Sequence, residues 1–207
     1  MTANKPIAVV DSKVTLRREL RDRVALMTEA AREIGARELC ERIGSSREWS
    51  GAGVVLMFAP RFDEPDLMPL VRMRLRAGEG VGFLRYDPRD GTYSPWRVRD
   101  LDLDLEIGHF GIREPRLSCE ALEWNQLDLV LVPGLGFDLM GGRIGRGKGF
   151  FDRLLTLVQG VKCGVAFAEQ VCESIPVEAH DVRMDSLVTP RGWVRFGGDG
   201  LRGARSG

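Results

Sequence analysis

The sequence predicts an α/β fold, a sandwich built around a mostly parallel sheet. Two observations carry that prediction. Short, continuously apolar runs recur along the chain, as expected of strands buried on both faces. Between them lie segments whose apolar residues return at every third or fourth position, the helical period. Size and composition permit such a fold, since 207 residues suit one domain and 43% hydrophobic residues are enough for a real core.

Taken in order, residues 12–43 read as helical. Leu16, Leu20, Val24, Met27, Ala31 and Ile34 share one face, Ser12 can cap the start, and Gly35 is the expected break between two helices. Residues 53–59 form an apolar run that suits a buried strand. Asp63-Glu64-Pro65-Asp66 is expected to open a helix ending near Gly78, with Pro65 in its first turn and carboxylates at its positive end. Residues 81–86 read as a second strand. Residues 87–125 are punctuated by Pro and Gly, with 97–105 extended. A buried strand over 127–132 precedes a glycine-rich loop and a helix over 150–158. Then come a strand at 162–167, a short helix at 169–173, and short strands at 186–188 and 193–196. One domain is expected over 1–196, followed by a disordered Gly- and Arg-rich tail over 197–207.

Thirty basic and thirty acidic residues cancel, so no global field draws the chain to nucleic acid or membrane. Cys40, Cys119, Cys163 and Cys172 form no C-x-x-C pair, and His109 and His180 are the two histidines. A zinc site is therefore not expected, and free thiols are. The first ten residues are too short for a signal peptide, and no apolar run is long enough to span a bilayer. A cytoplasmic monomer acting on small molecules is the expectation.

The stretch Gly142-Arg143-Ile144-Gly145-Arg146-Gly147-Lys148-Gly149-Phe150-Phe151-Asp152 is the most informative. Its glycines permit positive φ and let backbone N–H groups turn toward a ligand. A loop of this kind opening a helix suits phosphate, and three cations favour a polyanion. Asp152 is placed to hold the metal that accompanies a nucleotide. Other readings of the loop alone remain. Gly142-x-x-x-x-Gly147-Lys148 begins a P-loop pattern, but Gly149 stands where a Ser or Thr should bind Mg²⁺. The spacing of the glycines is not that of a dinucleotide fingerprint. A surface loop with solvated cations is the plain alternative.

Beyond the loop, Leu131-Val132-Pro133-Gly134-Leu135-Gly136-Phe137-Asp138 followed by the Gly142 to Arg153 stretch resembles the signature of the 5-formyltetrahydrofolate cyclo-ligase family. That family reads roughly V-P-G-x-x-F-D, then a short hairpin, then R-L-G-x-G-x-G-[YF]-[YF]-D. Lys13-x-x-Leu16-Arg17, Phe110-Gly111-Ile112-Arg113-Glu114-Pro115, Ala166-Phe167-Ala168-Glu169-Gln170, Ile175-Pro176-Val177 and His180-Asp181 resemble its other motifs. The resemblance covers most of the chain and implies a three-layer α/β/α sandwich around a mostly parallel mixed sheet.

It also implies an activity, the ATP- and Mg²⁺-dependent closure of 5-formyltetrahydrofolate to 5,10-methenyltetrahydrofolate. The formyl oxygen attacks the γ-phosphate, N10 closes the ring, and phosphate leaves, so no covalent enzyme intermediate is required. By this resemblance Lys13, Arg17 and the run Arg143, Ile144, Gly145, Arg146, Gly147, Lys148, Gly149, Phe150 and Phe151 bind ATP. Arg146 and Lys148 neutralise developing charge. Arg17, Glu64 and the run from Arg146 to Phe150 border the folate. Asp152 and Asp181 hold Mg²⁺, with Asp185 the competitor for the second position. Lys13 and Arg17 lie four apart on one helix face and can point at one phosphate, or else simply be solvated. Glu64 can equally serve a helix N-terminus.

Three departures fall on the folate side. Glu64-Pro65-Asp66-Leu67 replaces the family's E-[VI]-x-T, Leu84 stands where a proline is common, and residues 91–98 lack the usual Met-aromatic pattern. Tyr93 and Trp96 offer rings for a pterin or for the core. A relative that keeps the nucleotide loop but acts on another substrate, or only binds, is the competing reading.

Overall fold

In the computed structural model the described residues are 7–176, 178 and 181–196, with 7–11 described as backbone only. The chain runs α1 (Ile7–Ala25), α2 (Glu29–Gly44), α3 (Arg47–Ser50), β1 (Val54–Met57), α4 (Met68–Arg76), β2 (Gly80–Asp87), β3 (Thr92–Val98), β4 (Leu105–Ile107) and β5 (Arg113–Pro115). It continues with β6 (Leu129–Val132), β7 (Gly136–Asp138), β8 (Arg143–Ile144), α5 (Phe150–Leu155), β9 (Val161–Val165), β10 (Val171–Cys172), β11 (Ser186–Thr189) and β12 (Gly192–Arg195).

Seven strands form one sheet in the order β12-β11-β9-β6-β1-β2-β3. The inner five are parallel, and antiparallel β3 and β12 close the two edges. Strand alternation splits each apolar run between two cores. Val55, Met57, Leu129 and Leu131 pack with Leu39, Ile43, Leu70 and Val71 of α2 and α4. Leu56, Val130 and Val132 pack with Leu154 and Leu155 of α5 and with Phe137 of β7. The result is the expected α/β sandwich with a mostly parallel mixed sheet. A smaller sheet, β10-β7-β8, carries α1, with Leu20 packed against Leu135, Ile144 and Ile175.

Several element boundaries differ from expectation. The first helical region divides at residues 26–28, not at Gly35. Thr28 is extended and its side chain accepts from Ala31 N at 3.1 Å, which starts α2. Gly35 lies inside α2 because a Cβ there would come within 3.0 Å of the Phe167 ring. The helix expected from Asp63 starts at Met68, with Pro69 in its first turn and Asp66 Oδ1 accepting Met68 N at 2.8 Å. Asp63 and Glu64 are turned elsewhere, as described below. Extended structure falls at Thr92–Val98, and residues 99–104 turn around Asp104, whose carboxylate accepts the N–H groups of Arg99 and Asp100. The short helix expected at 169–173 is a 3-10 turn, Ala168–Gln170, that leads into β10. α5 stops at Leu155, short of the expected 158. The four cysteines are unpaired. No helix among the described residues is long and apolar enough to cross a membrane. The expected tail over 197–207, and His180, lie outside the described residues.

Candidate active site

The site is built where β6 ends, at the carboxyl edge of the parallel strands. Gly134 follows because a Cβ there would meet the Phe137 ring at 2.9 Å. The β7–β8 hairpin then folds around Asp138, which is 3% exposed. Its carboxylate accepts Gly142 N at 2.7 Å, Met140 N at 2.9 Å and Ile175 N at 2.9 Å. Gln170 braces the same corner, accepting Phe167 N and donating to the Gly134 carbonyl, both at 2.9 Å. These motif residues are thus framework. The hairpin delivers the loop, where Gly147 has φ +93° and Gly149, at +66°, precedes α5. Both angles favour glycine.

A cavity of about 530 Å³ opens beside this loop. Lys13, Arg17, Glu64, every residue from Arg143 to Asp152, and Asp181 line it. Most of the site residues singled out in the sequence therefore meet in one place. Asp185 does not. Its carboxylate accepts Lys162 N at 2.8 Å and is half exposed.

The cations are held differently. Lys13 Nζ lies 2.8 Å from Asp181 and 3.0 Å from Glu178. Burial lowers its pKa, but the hydrogen bonds and charges of the two carboxylates outweigh this and the net shift is upward. Arg17 Nε donates to the Gly145 carbonyl at 3.0 Å, pinning the loop to α1. Arg143 is nearly buried and donates to Asp152 Oδ1 at 2.8 Å, while its Nε has no hydrogen-bond partner among the described residues. Burial lowers its pKa, partly offset by Asp152.

Arg146 reaches across to the β1–α4 loop, 2.6 Å from Asp63 and 3.1 Å from Glu64. Burial raises the Glu64 pKa against the pull of Arg146. Lys148 is exposed, its Nζ 4.6 Å above the Phe110 ring.

Much of the rest of the lining is apolar and aromatic. Tyr93 lies 5.2 Å from Phe150 and 5.1 Å from Tyr86, which stacks on His109 at 4.9 Å. Burial pushes the Tyr93 hydroxyl up to about 12. Trp96 is not in this lining; its Nε1 donates to Ser94 Oγ at 2.9 Å. Glu114 is 4% exposed and lines the cavity, accepts Tyr86 N at 3.2 Å, and has its pKa raised by burial.

Arg61, Asp63, Phe110, Glu114 and Glu178 were not assigned roles from sequence. Phe110 and Glu114 sit in a stretch already noted as a motif. Asp63 was masked by its helix-start pattern, and Glu178 carried no signal.

A mixed sheet that ends in one two-sided cavity, cationic on one side and aromatic on the other, places the chain among α/β enzymes. The profile of the "5-formyltetrahydrofolate cyclo-ligase family" matches residues 9–190. The chain belongs to that family and is a ligase. It is 27% identical over 193 residues to the mouse 5-formyltetrahydrofolate cyclo-ligase, covering 88% of this chain and 95% of the mouse protein. The Escherichia coli K12 enzyme of that name is 31% identical over 176 residues, covering 81% and 94%. Among solved structures, the Aquifex aeolicus 5,10-methenyltetrahydrofolate synthetase superposes with a TM-score of 0.79 at 34% identity, covering 94% of this chain and 95% of that one. The Mycoplasma pneumoniae synthetase, at 18% identity and TM-score 0.68, shares the fold.

Proposed function

We propose that this chain uses ATP and Mg²⁺ to close 5-formyltetrahydrofolate into 5,10-methenyltetrahydrofolate, releasing ADP and phosphate. The observation that carries the reading is the contact between the two unlike sides of the cavity. Lys148 Nζ lies over Phe110, and Phe150 belongs to both the loop and the aromatic cluster. A triphosphate against the loop and a pterin against the rings would therefore be neighbours.

The chemistry asks for position and countercharge. The formyl oxygen attacks the γ-phosphorus and the bond to ADP breaks. N10 then attacks the formyl carbon, the C–O bond breaks with loss of phosphate, and N10 gives up its proton. Lys148 and Arg146 offset the charge that builds on the transferring phosphoryl group. Arg17 holds the Gly145 carbonyl, which fixes the loop that would present N–H groups to phosphate oxygens. Arg143 turns Asp152 toward the cavity, and Lys13 does the same for Asp181.

That donor set suits Mg²⁺. No group of three or more metal-binding side chains occurs among the described residues. Mg²⁺ commonly takes one or two carboxylates, several waters and substrate phosphates. Asp152 and Asp181 would hold it, and it would neutralise phosphate charge.

Mixing the protein with 5-formyltetrahydrofolate, Mg²⁺ and ATP should produce the absorbance of the methenyl product. Folded protein that gives no product, while a known cyclo-ligase does in the same assay, overturns the reading.

A further inference from the structure

Glu178 lines the cavity but has no part in the chemistry described above. It is locked to Asp181 in both directions. Asp181 N donates to the Glu178 carbonyl at 3.0 Å, and Glu178 N donates to Asp181 Oδ2 at 2.8 Å. Lys13 reaches the pair from α1, its Nζ 2.8 Å from Asp181 Oδ2 and 3.0 Å from Glu178 Oε2. The three side chains are largely buried. One ammonium is therefore shared between two carboxylates that the backbone keeps side by side.

This inference rests on the proposed function, in which Asp181 holds Mg²⁺. Lys13 and the metal then call on the same carboxylate. With Mg²⁺ on Asp181, the ammonium beside it meets two added positive charges. A buried ammonium that loses its carboxylate is strongly disfavoured. Glu178 offers Lys13 a second carboxylate within reach of the same position.

We propose that Glu178 is a positioning residue that keeps Lys13 paired when Asp181 turns to Mg²⁺. It holds the ammonium at the cavity wall and removes it as a competitor for the metal. The Glu178 side chain acts here through Lys13. The backbone N–H that orients Asp181 is unchanged by substitution at Glu178.

The test titrates Mn²⁺, which favours the same oxygen donors as Mg²⁺, into the full chain with β,γ-imido-ATP present. Bound metal is read by electron paramagnetic resonance. Glu178→Gln should weaken Mn²⁺ binding about tenfold, the loss of one charged hydrogen-bond partner, and Glu178→Asp should restore most of it. In a Lys13→Met background Glu178→Gln should have no effect, because no ammonium is left to hold. If the loss persists in that background, Glu178 acts on the metal directly and the inference is overturned. Glu178 belongs to no helix or strand, and Glu178→Ala carries the same comparison if Glu178→Gln does not fold. In turnover, the Mg²⁺ concentration for half-maximal rate should rise in Glu178→Gln while kcat at saturating Mg²⁺ stays within about twofold. A kcat that falls equally at every Mg²⁺ concentration also overturns it. Nucleotide-dependent Mn²⁺ binding that Glu178→Gln leaves unchanged rejects this inference alone. A wild type that binds neither Mn²⁺ nor β,γ-imido-ATP rejects the proposed function, and this inference with it.

Discussion

Arg143 to Asp152 supply most of the cationic side of the cavity in one run of chain, joined by Lys13 and Arg17 of α1, whereas the aromatic side is gathered from β2, β3, the β4–β5 turn and α5. In the first, each residue's place follows from its neighbours: a hairpin tied around Asp138, two glycines at positive φ, and a short helix. In the second, Tyr93, Phe110 and Phe150 meet only because the sheet and the β4–β5 hairpin bring distant segments together. A contiguous site leaves a signature in sequence, and an assembled one leaves scattered residues whose meaning depends on the fold. The two sides should also fail differently when altered.

Lys148→Ala should give the largest effect, a loss of about 10²–10³-fold in kcat with an unchanged melting curve, since the residue is exposed and only rests over a ring. Wild-type kcat would remove Lys148 from the phosphate side. Tyr93→Leu tests the other side. It should raise KM for the folate by up to about tenfold and leave KM for ATP alone. A shift confined to ATP would reverse the assignment of the two sides.

Gly147→Ala comes next. Its Cβ would meet nothing nearer than Arg17 Cζ at 3.5 Å, so the penalty is conformational, at φ +93°. About 1 kcal/mol of strain should raise KM for ATP roughly fivefold. The smallest effect is a pH dependence at Glu64, the partner of Arg146 in the β1–α4 loop. Its folded pKa lies above the ordinary 4.5. The stability this contributes is full below the unfolded pKa and is lost as pH rises through the folded one. Glu64→Gln lacks that loss, so its melting temperature relative to wild type should rise as the pH is taken from below 4.5 to neutral. A constant difference across that range would mean that Glu64 keeps the same pKa on unfolding.

The alternation of apolar runs and helical periods made the mostly parallel sheet readable in advance, because burial on both faces leaves little choice of residue. The position of the first helix break was not readable. Gly35 looked like punctuation, yet its lack of a side chain serves the Phe167 ring, and Thr28 supplies the break. Asp63 and Glu64 fit a helix-start pattern equally well, and only the approach of Arg146 shows why they are there. Lys13 illustrates the same limit. Its helix face suited an anion or plain solvent, and its tie to Asp181 comes from a residue 168 positions away.

α1 has one further consequence. It joins the body through Leu20, through Arg17 on the Gly145 carbonyl and through Lys13 on Asp181, while a turn at 26–28 with Leu26 85% exposed connects it to α2. Cutting the backbone at that turn would yield two fragments, one carrying the staple and the other the glycine-rich loop. Activity regained on mixing them would then titrate the strength of the staple, turning the enzyme into a reporter of its own assembly.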